Sequence, residues 1–191
     1  MCKSSSKAIN NKIKGNNSNK IKMVEENKEE NKEEKRKISI YTDGSCTNNG
    51  KINSIGRFGY ICIENDNIVH TELNMEKVTT NNKMEMKAIL SALNYLKTIN
   101  YDYCDIFTDS RLVKKGLTEW YPDWKKRNFK NIKNVELWKE LYSIYSSTSN
   151  IKIKWVRGHS DNKWNNYIDS QLKKNKYWKK QFMKLTFLSL I

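Results

Sequence analysis

The chain has few of the residues and segments that mark several large protein classes. Its 191 residues include two histidines and four cysteines. Cys2, Cys46, Cys62 and Cys104 show no C-x-x-C spacing and have no histidine set beside them, which argues against a zinc site. Cys62 and Cys104 lie in apolar stretches and read as core residues of a reduced compartment. No stretch approaches the roughly 18–20 apolar residues that a membrane span needs. The N-terminus has neither the apolar core of a signal peptide nor the arginine richness of a mitochondrial presequence. The expectation is a soluble intracellular protein of the cytoplasm or nucleus, with organelle import as the alternative.

Positive charge is abundant. Lys and Arg number 36 against 21 Asp and Glu, a formal net charge of +15. That excess favours a polyanionic partner, nucleic acid or an acidic membrane surface, although Lys/Asn-rich usage also follows from a biased genome. Residues 1–37 are almost all Lys, Asn, Ser and Glu, with eleven basic and six acidic side chains. They offer too little apolar surface to fold alone and read as a disordered, solvated tail, with a nucleic-acid tether or an organelle address as the sharper alternative. A single domain over 38–180 follows, and 181–191 form a short apolar tail whose "FMKLTFLSLI" is expected to dock on the core.

Within the domain, Ile38, Ile40 and Thr42 alternate with Ser39, Tyr41 and Asp43, a period-two strand that ends at a carboxylate. "RFGYICIEN" and "NIVHTEL" predict two further strands joined by a short Asn/Asp turn. From Asn82 the period becomes helical: Met84, Ala88, Ala92 and Leu96 recur every fourth residue, and Ile89 and Leu93 widen the stripe. "YCDIFTDS" reads as a buried strand running into Asp109, with Ser110 capping a helix that begins "RLVKKGL". The helix "VELWKELYSIY", the alternating strand "IKIKWV" and a last helix in "NKWNNYIDSQLKKN" complete an α/β layer with an antiparallel hairpin and parallel additions.

Four acids stand in telling places. Asp43 and Asp109 end strands, where ligands gather in an open α/β sheet. Glu85 and Asp169 border the buried faces of their helices, beside Ala88 and Ile89 and between Ile168 and Leu172. Any one of them alone could be a cap or a surface acid. Gathered in one site they would repel one another unless cations neutralise them, which points to divalent metals and phosphodiester chemistry. His159, on a Gly-flanked loop ten residues before Asp169, could orient water or move protons, or simply bond to backbone. "TEWYPDWKKRNFK" interleaves Trp120, Trp124 and Phe129 with Lys125, Lys126 and Arg127, a backbone-tracking surface or a helix with inward rings and solvated lysines. Thr80, Asn81 and Asn82 suit sugar hydroxyls and base edges in a shallow minor groove, or a turn with a helix cap.

Taken in order, "YTDGSC", "TTNNKMEMKA", "TDS", "WYPDWKKRNFK" and "WVRGH…NNYID" resemble the type 1 ribonucleases H, over roughly Lys37 to Lys176. The resemblance implies the ribonuclease H-like fold, a five-stranded mixed β-sheet flanked by α-helices. It also implies endonucleolytic hydrolysis of the RNA strand of RNA–DNA hybrids with two Mg²⁺ ions, or Mn²⁺, leaving 5′-phosphate and 3′-hydroxyl ends. Carried over by position, Asp43 bridges both metals, Glu85 and Asp109 hold the one on the leaving-group side, and Glu85 lies near a ribose 2′-hydroxyl. Asp169 helps hold the metal that carries the nucleophilic water, and His159 serves water positioning or product release. Asn49, Asn81 and Asn82 match minor-groove contacts, and Thr80 matches a DNA-phosphate contact. Trp120, Trp124, Lys125, Lys126 and Arg127 match a basic protrusion that grips DNA, and Cys46 and Ser110 complete the substrate-binding set. The chain departs from the pattern at Val78, where many relatives carry Arg and where Lys77 is the nearest substitute. It departs again in "SQL" after Asp169 and at Asn166, where some relatives carry Glu. The first 37 residues do not resemble the hybrid-binding domain of some relatives. A monomer without membrane contact is expected. Two other readings accompany the hybrid-specific nuclease: a binding module that does not cut, and a related metal nuclease acting on duplex DNA or recombination junctions.

Overall fold

A computed structural model describes residues 35–174. Of the regions read as tails, 1–37 and 181–191, residues 1–34 and 181–191 lie outside that range, as do 175–180 of the expected domain, whereas 35–37 are described and Lys37 already belongs to the first strand.

Strand β1 (Lys37–Thr47) pairs antiparallel with β2 (Ile55–Glu64), and β2 pairs antiparallel with β3 (Asn67–Lys77). Asn65 and Asp66 make the β2–β3 turn with φ of 49° and 60°, the left-handed pair that a tight hairpin requires and that Asn and Asp tolerate. Helix α1 (Asn81–Leu96) then crosses to β4 (Tyr103–Thr108), which pairs parallel with β1. Helix α2 (Arg111–Lys115), a π-helical turn (Gly116–Trp120), α3 (Tyr121–Lys126) and α4 (Val135–Ser147) lead to β5 (Ile151–Trp155), parallel to β4. Helix α5 (Lys163–Lys173) follows. The sheet order is β3-β2-β1-β4-β5, so the expected five-stranded mixed sheet flanked by helices is present.

Helix α1 buries Met84, Ala88, Ile89, Ala92, Leu93 and Leu96, the stripe that the sequence period predicts, and also Glu85 and Met86. This face joins Ile40, Cys62, Cys104, Ile106, Trp138 and Leu141 in the larger core. A smaller core of Tyr41, Ile61, Ile63, Leu73, Ile168 and Leu172 lies under α5. Two strands therefore differ from expectation. In β1 the strand does not end at Asp43 but continues to Thr47, and Tyr41 and Asp43, which alternate with Ile40 and Thr42, are buried as well, because α5 covers the second face of the sheet there. In β4 the reverse holds: Tyr103, Asp105 and Phe107 are half-buried, because α5 packs mainly over β1 and β2. Among the described residues no helix is long and apolar enough to cross a membrane.

Candidate active site

The parallel register delivers the first two acids. Thr42 lies opposite Thr108, so Asp43 and Asp109 each stand one residue past the last matched pair, at the same edge of neighbouring strands. Gly44 brings the third. A Cβ at Gly44 would lie 2.3 Å from the backbone nitrogen of Glu85, so only a glycine lets the first turn of α1 rest on β1. The helix start is held by Thr80, whose hydroxyl accepts from the Lys83 amide, and by Asn49, whose Oδ1 accepts from the Asn81 amide at 2.8 Å. One carboxylate oxygen from each of Asp43, Glu85 and Asp109 lies within 4.8 Å of the others.

These acids are poorly solvated and set against one another. Asp43 is 6% exposed and Glu85 8%. Asp43 Oδ2 and Glu85 Oε2 are buried without a hydrogen-bond partner among the described residues. Desolvation, then the charges of Asp109 and Asp169, push Asp43 up to about 7, against a smaller opposing bond from the Gly44 amide. Glu85 is pushed up by burial first and by Asp43 and Asp109 next. Asp109 is raised by burial and partly relieved by a hydrogen bond from the Asn165 side chain. Three hard oxygen donors, two of them with orphaned oxygens, fit a divalent cation such as Mg²⁺ or Mn²⁺.

Asp169 stands apart from that trio. Its Oδ2 accepts from Lys173 Nζ at 2.6 Å and lies 3.7 Å from His159 Nδ1. It remains close enough for its charge to act on Asp43 and Asp109. His159 has a φ of 50° and a largely exposed side chain, at the tip of the loop between β5 and α5.

The residues expected to meet substrate surround this edge unevenly. Asn49, Asn81 and Asn82 are exposed beside the start of α1. Cys46 is half-buried, its Sγ 3.5 Å from the Thr79 carbonyl oxygen. Ser110 caps α2 by accepting from the Val113 amide. Lys125, Lys126 and Arg127 are exposed on α3 and just beyond it. The two tryptophans part company: Trp120 is 36% exposed, whereas Trp124 is buried edge-on against Trp138, 5.0 Å between centroids. The inward-ring reading therefore holds for Trp124. Val78 is exposed with a φ of 53°, unusual for a β-branched residue.

Sequence reasoning missed three residues. Asn165 is buried on the α5 stripe with Ile168 and Leu172, and its amide supports Asp109. The sequence signal for it is a polar residue on an otherwise apolar stripe, one turn before an acid; neighbouring Asn166 is exposed and donates to the Ser160 carbonyl oxygen. Gly158 is the second: a Cβ there would lie 2.7 Å from Asp109 Oδ2. Lys173, one turn after Asp169, is the third.

Residues 33–176 match the family model described as RNase H. The chain is 39% identical over 148 residues to the ribonuclease H of Wolbachia sp. subsp. Drosophila simulans, covering 73% of this chain and 95% of that protein. It is 41% identical over 134 residues to the ribonuclease H of Rickettsia typhi, covering 68% and 84%. Among solved structures it is similar to LC9-RNase H1, described as a type 1 RNase H with the type 2 active-site motif, at a TM-score of 0.63 and 27% identity, covering 72% of this chain and 71% of that one. The fold also matches a foamy viral protease-reverse transcriptase solved in complex with dsDNA, at a TM-score of 0.64 and 22% identity over 74% of this chain and 95% of that one.

Proposed function

The chain belongs to the ribonuclease H family of hydrolases, and we propose that it is an endonuclease that cuts the RNA strand of RNA–DNA hybrids with two divalent cations, leaving 5′-phosphate and 3′-hydroxyl ends. One observation carries this reading: three carboxylates from separate parts of the chain converge within 4.8 Å, and two of them, Asp43 and Glu85, keep a buried, unpartnered oxygen. Such an arrangement costs folding free energy and is hard to account for as structure alone.

Asp43, Glu85 and Asp109 would hold one cation, and Asp43 with Asp169 the second; bound there, the cations would activate water and stabilise the leaving oxygen of the phosphodiester. Mg²⁺ is the expected ion and Mn²⁺ an alternative, since all donors are hard oxygens. The chain's own part is placement. Thr42 and Thr108 set the height of two acids, Gly44 sets the approach of the third, and Asn165 orients Asp109. His159, exposed beside Asp169, is placed to position water or assist product release. Exposed Asn49, Asn81 and Asn82 offer amides to the shallow minor groove, with Cys46, Thr80 and Ser110 around them. Trp120, Lys125, Lys126 and Arg127 would track the DNA backbone, while Trp124 supports them from within the core. The protein would act as a monomer inside the cell.

The test is cleavage of an end-labelled RNA–DNA hybrid in Mg²⁺ or Mn²⁺, beside duplex RNA, duplex DNA and the Asp43→Asn protein. Cutting confined to the RNA of the hybrid, and lost in EDTA and in the variant, is the expected result. Hybrid binding without cutting would favour the idle module, and cutting of duplex DNA would favour the junction nuclease.

A further inference from the structure

The fourth acid lies outside the cluster, and the residue that holds it there is visible. Asp43, Glu85 and Asp109 share a space of 4.8 Å, whereas Asp169 Oδ2 is engaged by the Lys173 ammonium at 2.6 Å. The two sit one turn apart on α5, the i, i+4 spacing that lets side chains meet on one helix face. The Asp169 side chain is 21% exposed and that of Lys173 is 60% exposed, so the carboxylate is the partly sheltered member and the ammonium the more solvated one. His159 is the other basic group near the same oxygen, at 3.7 Å and 76% exposed. Asp43 and Asp109 are the charged groups that Asp169 faces from the sheet.

We propose that Lys173 is a positioning residue that occupies Asp169 as an internal counter-cation, so that loading of the second metal requires Asp169 to exchange the ammonium for the incoming ion. The inference rests on the two-metal reading above and adds an order to it. The trio is preassembled and, among the described residues, no ammonium is bonded to its oxygens, although the charge of Lys173 reaches Asp43, so it fills first. The Asp43–Asp169 position fills second and more weakly, because an ion pair must break. An ammonium on a flexible stem suits this task, since it neutralises the acid without closing the site and can swing into water when displaced.

Mn²⁺ binding to the full chain, counted by electron paramagnetic resonance in the absence of substrate, tests the idea through the weaker of the bound populations. Lys173→Gln is expected to tighten that population by about two- to fivefold, the worth of an exposed ion pair. Lys173→Arg keeps the charge and is expected to stay near wild type. Lys174→Gln makes the same charge change one residue along, and as a more remote, screened charge it is expected to shift affinity by only about 1.3-fold. A second readout is the side-chain ¹⁵N resonance of Lys173. On saturation with Mg²⁺ it should move to the position seen in the Asp169→Asn protein, where no carboxylate partner exists. Equal Mn²⁺ affinities in the Lys173→Gln and Lys174→Gln proteins, or a Lys173 resonance unmoved at saturation, would overturn the exchange while leaving the metal reading intact. A wild-type chain that binds no Mn²⁺ would overturn both.

Discussion

The two ends of β1 treat charge in opposite ways. Where the strand begins, the Arg36 guanidinium bonds to both oxygens of Glu64 at 2.7 and 2.9 Å and to the Asn100 carbonyl oxygen at 2.6 Å. The Arg36 amide donates to Asp102 as well, at 2.6 Å. Each acid there faces a donor, and Glu64 is held below the usual carboxylate range by its bond from Arg36. Toward its other end, where the pairing with β4 stops, Asp43, Glu85 and Asp109 face one another, and all three are pushed upward, chiefly by burial. The first arrangement fastens an edge of the sheet in water. The second shelters three acids from solvent and leaves an oxygen of Asp43 and of Glu85 without a partner, and such a departure from local consistency marks a site of function.

The sharpest way to break the contrast is to remove Asp43, the acid proposed to serve both cations. Asp43→Asn is expected to lower hybrid cleavage by at least about a thousandfold, because several kcal/mol of metal-borne transition-state stabilisation depend on it; single-turnover cleavage measures it. Next in size is the pH dependence of the metal-free protein. Asp43 binds its proton more tightly folded, with its pKa raised from 3.8 to about 7, so the folded state gains from protonation. That stabilisation is fully present below about pH 4 and is lost as pH rises through about 7, a span of up to about 4 kcal/mol. Denaturant midpoints in EDTA across this range, compared with Asp43→Asn, should show the wild type losing ground to the variant as pH rises.

Gly44→Ala tests how the third acid is delivered. The added Cβ would meet the backbone of Met84 and Glu85 at 2.4 and 2.3 Å, contacts that no rotamer change relieves. A loss of about 3 kcal/mol is expected, read from chemical unfolding, with cleavage impaired in whatever remains folded. Arg36→Ala probes the other end and should do least. The guanidinium is 41% exposed, so about 0.5–1 kcal/mol of stability is expected to go. Hybrid cleavage measured beside it should not change.

Much of this contrast is legible in the sequence, for identifiable reasons. Strand alternation into Asp43 and the four-residue period through Met84, Ala88 and Ala92 place two acids on named elements, because both signals are local. What the period cannot report is which sheet face a distant helix covers. For that reason the alternation in β1 does not tell whether Tyr41 is covered, and β4 reads as a buried strand, whereas α5 shelters β1 and leaves β4 half-open. The same long-range packing conceals Asn165, Gly158 and Lys173, whose roles exist only once α5 and its loop lie against Asp109 and Asp169. Trp124 and Trp120 look alike in sequence and separate only when Trp138 arrives from α4 to cover one of them.

The most direct measurement is the thermal unfolding midpoint of wild type and Asp43→Asn at about pH 8, in EDTA and in saturating Mn²⁺. If the carboxylate end of β1 is a destabilised site built for a cation, the variant melts higher in EDTA, and Mn²⁺ raises the wild type far more than the variant. A wild type that melts higher than Asp43→Asn in EDTA and does not respond to Mn²⁺ would contradict the account.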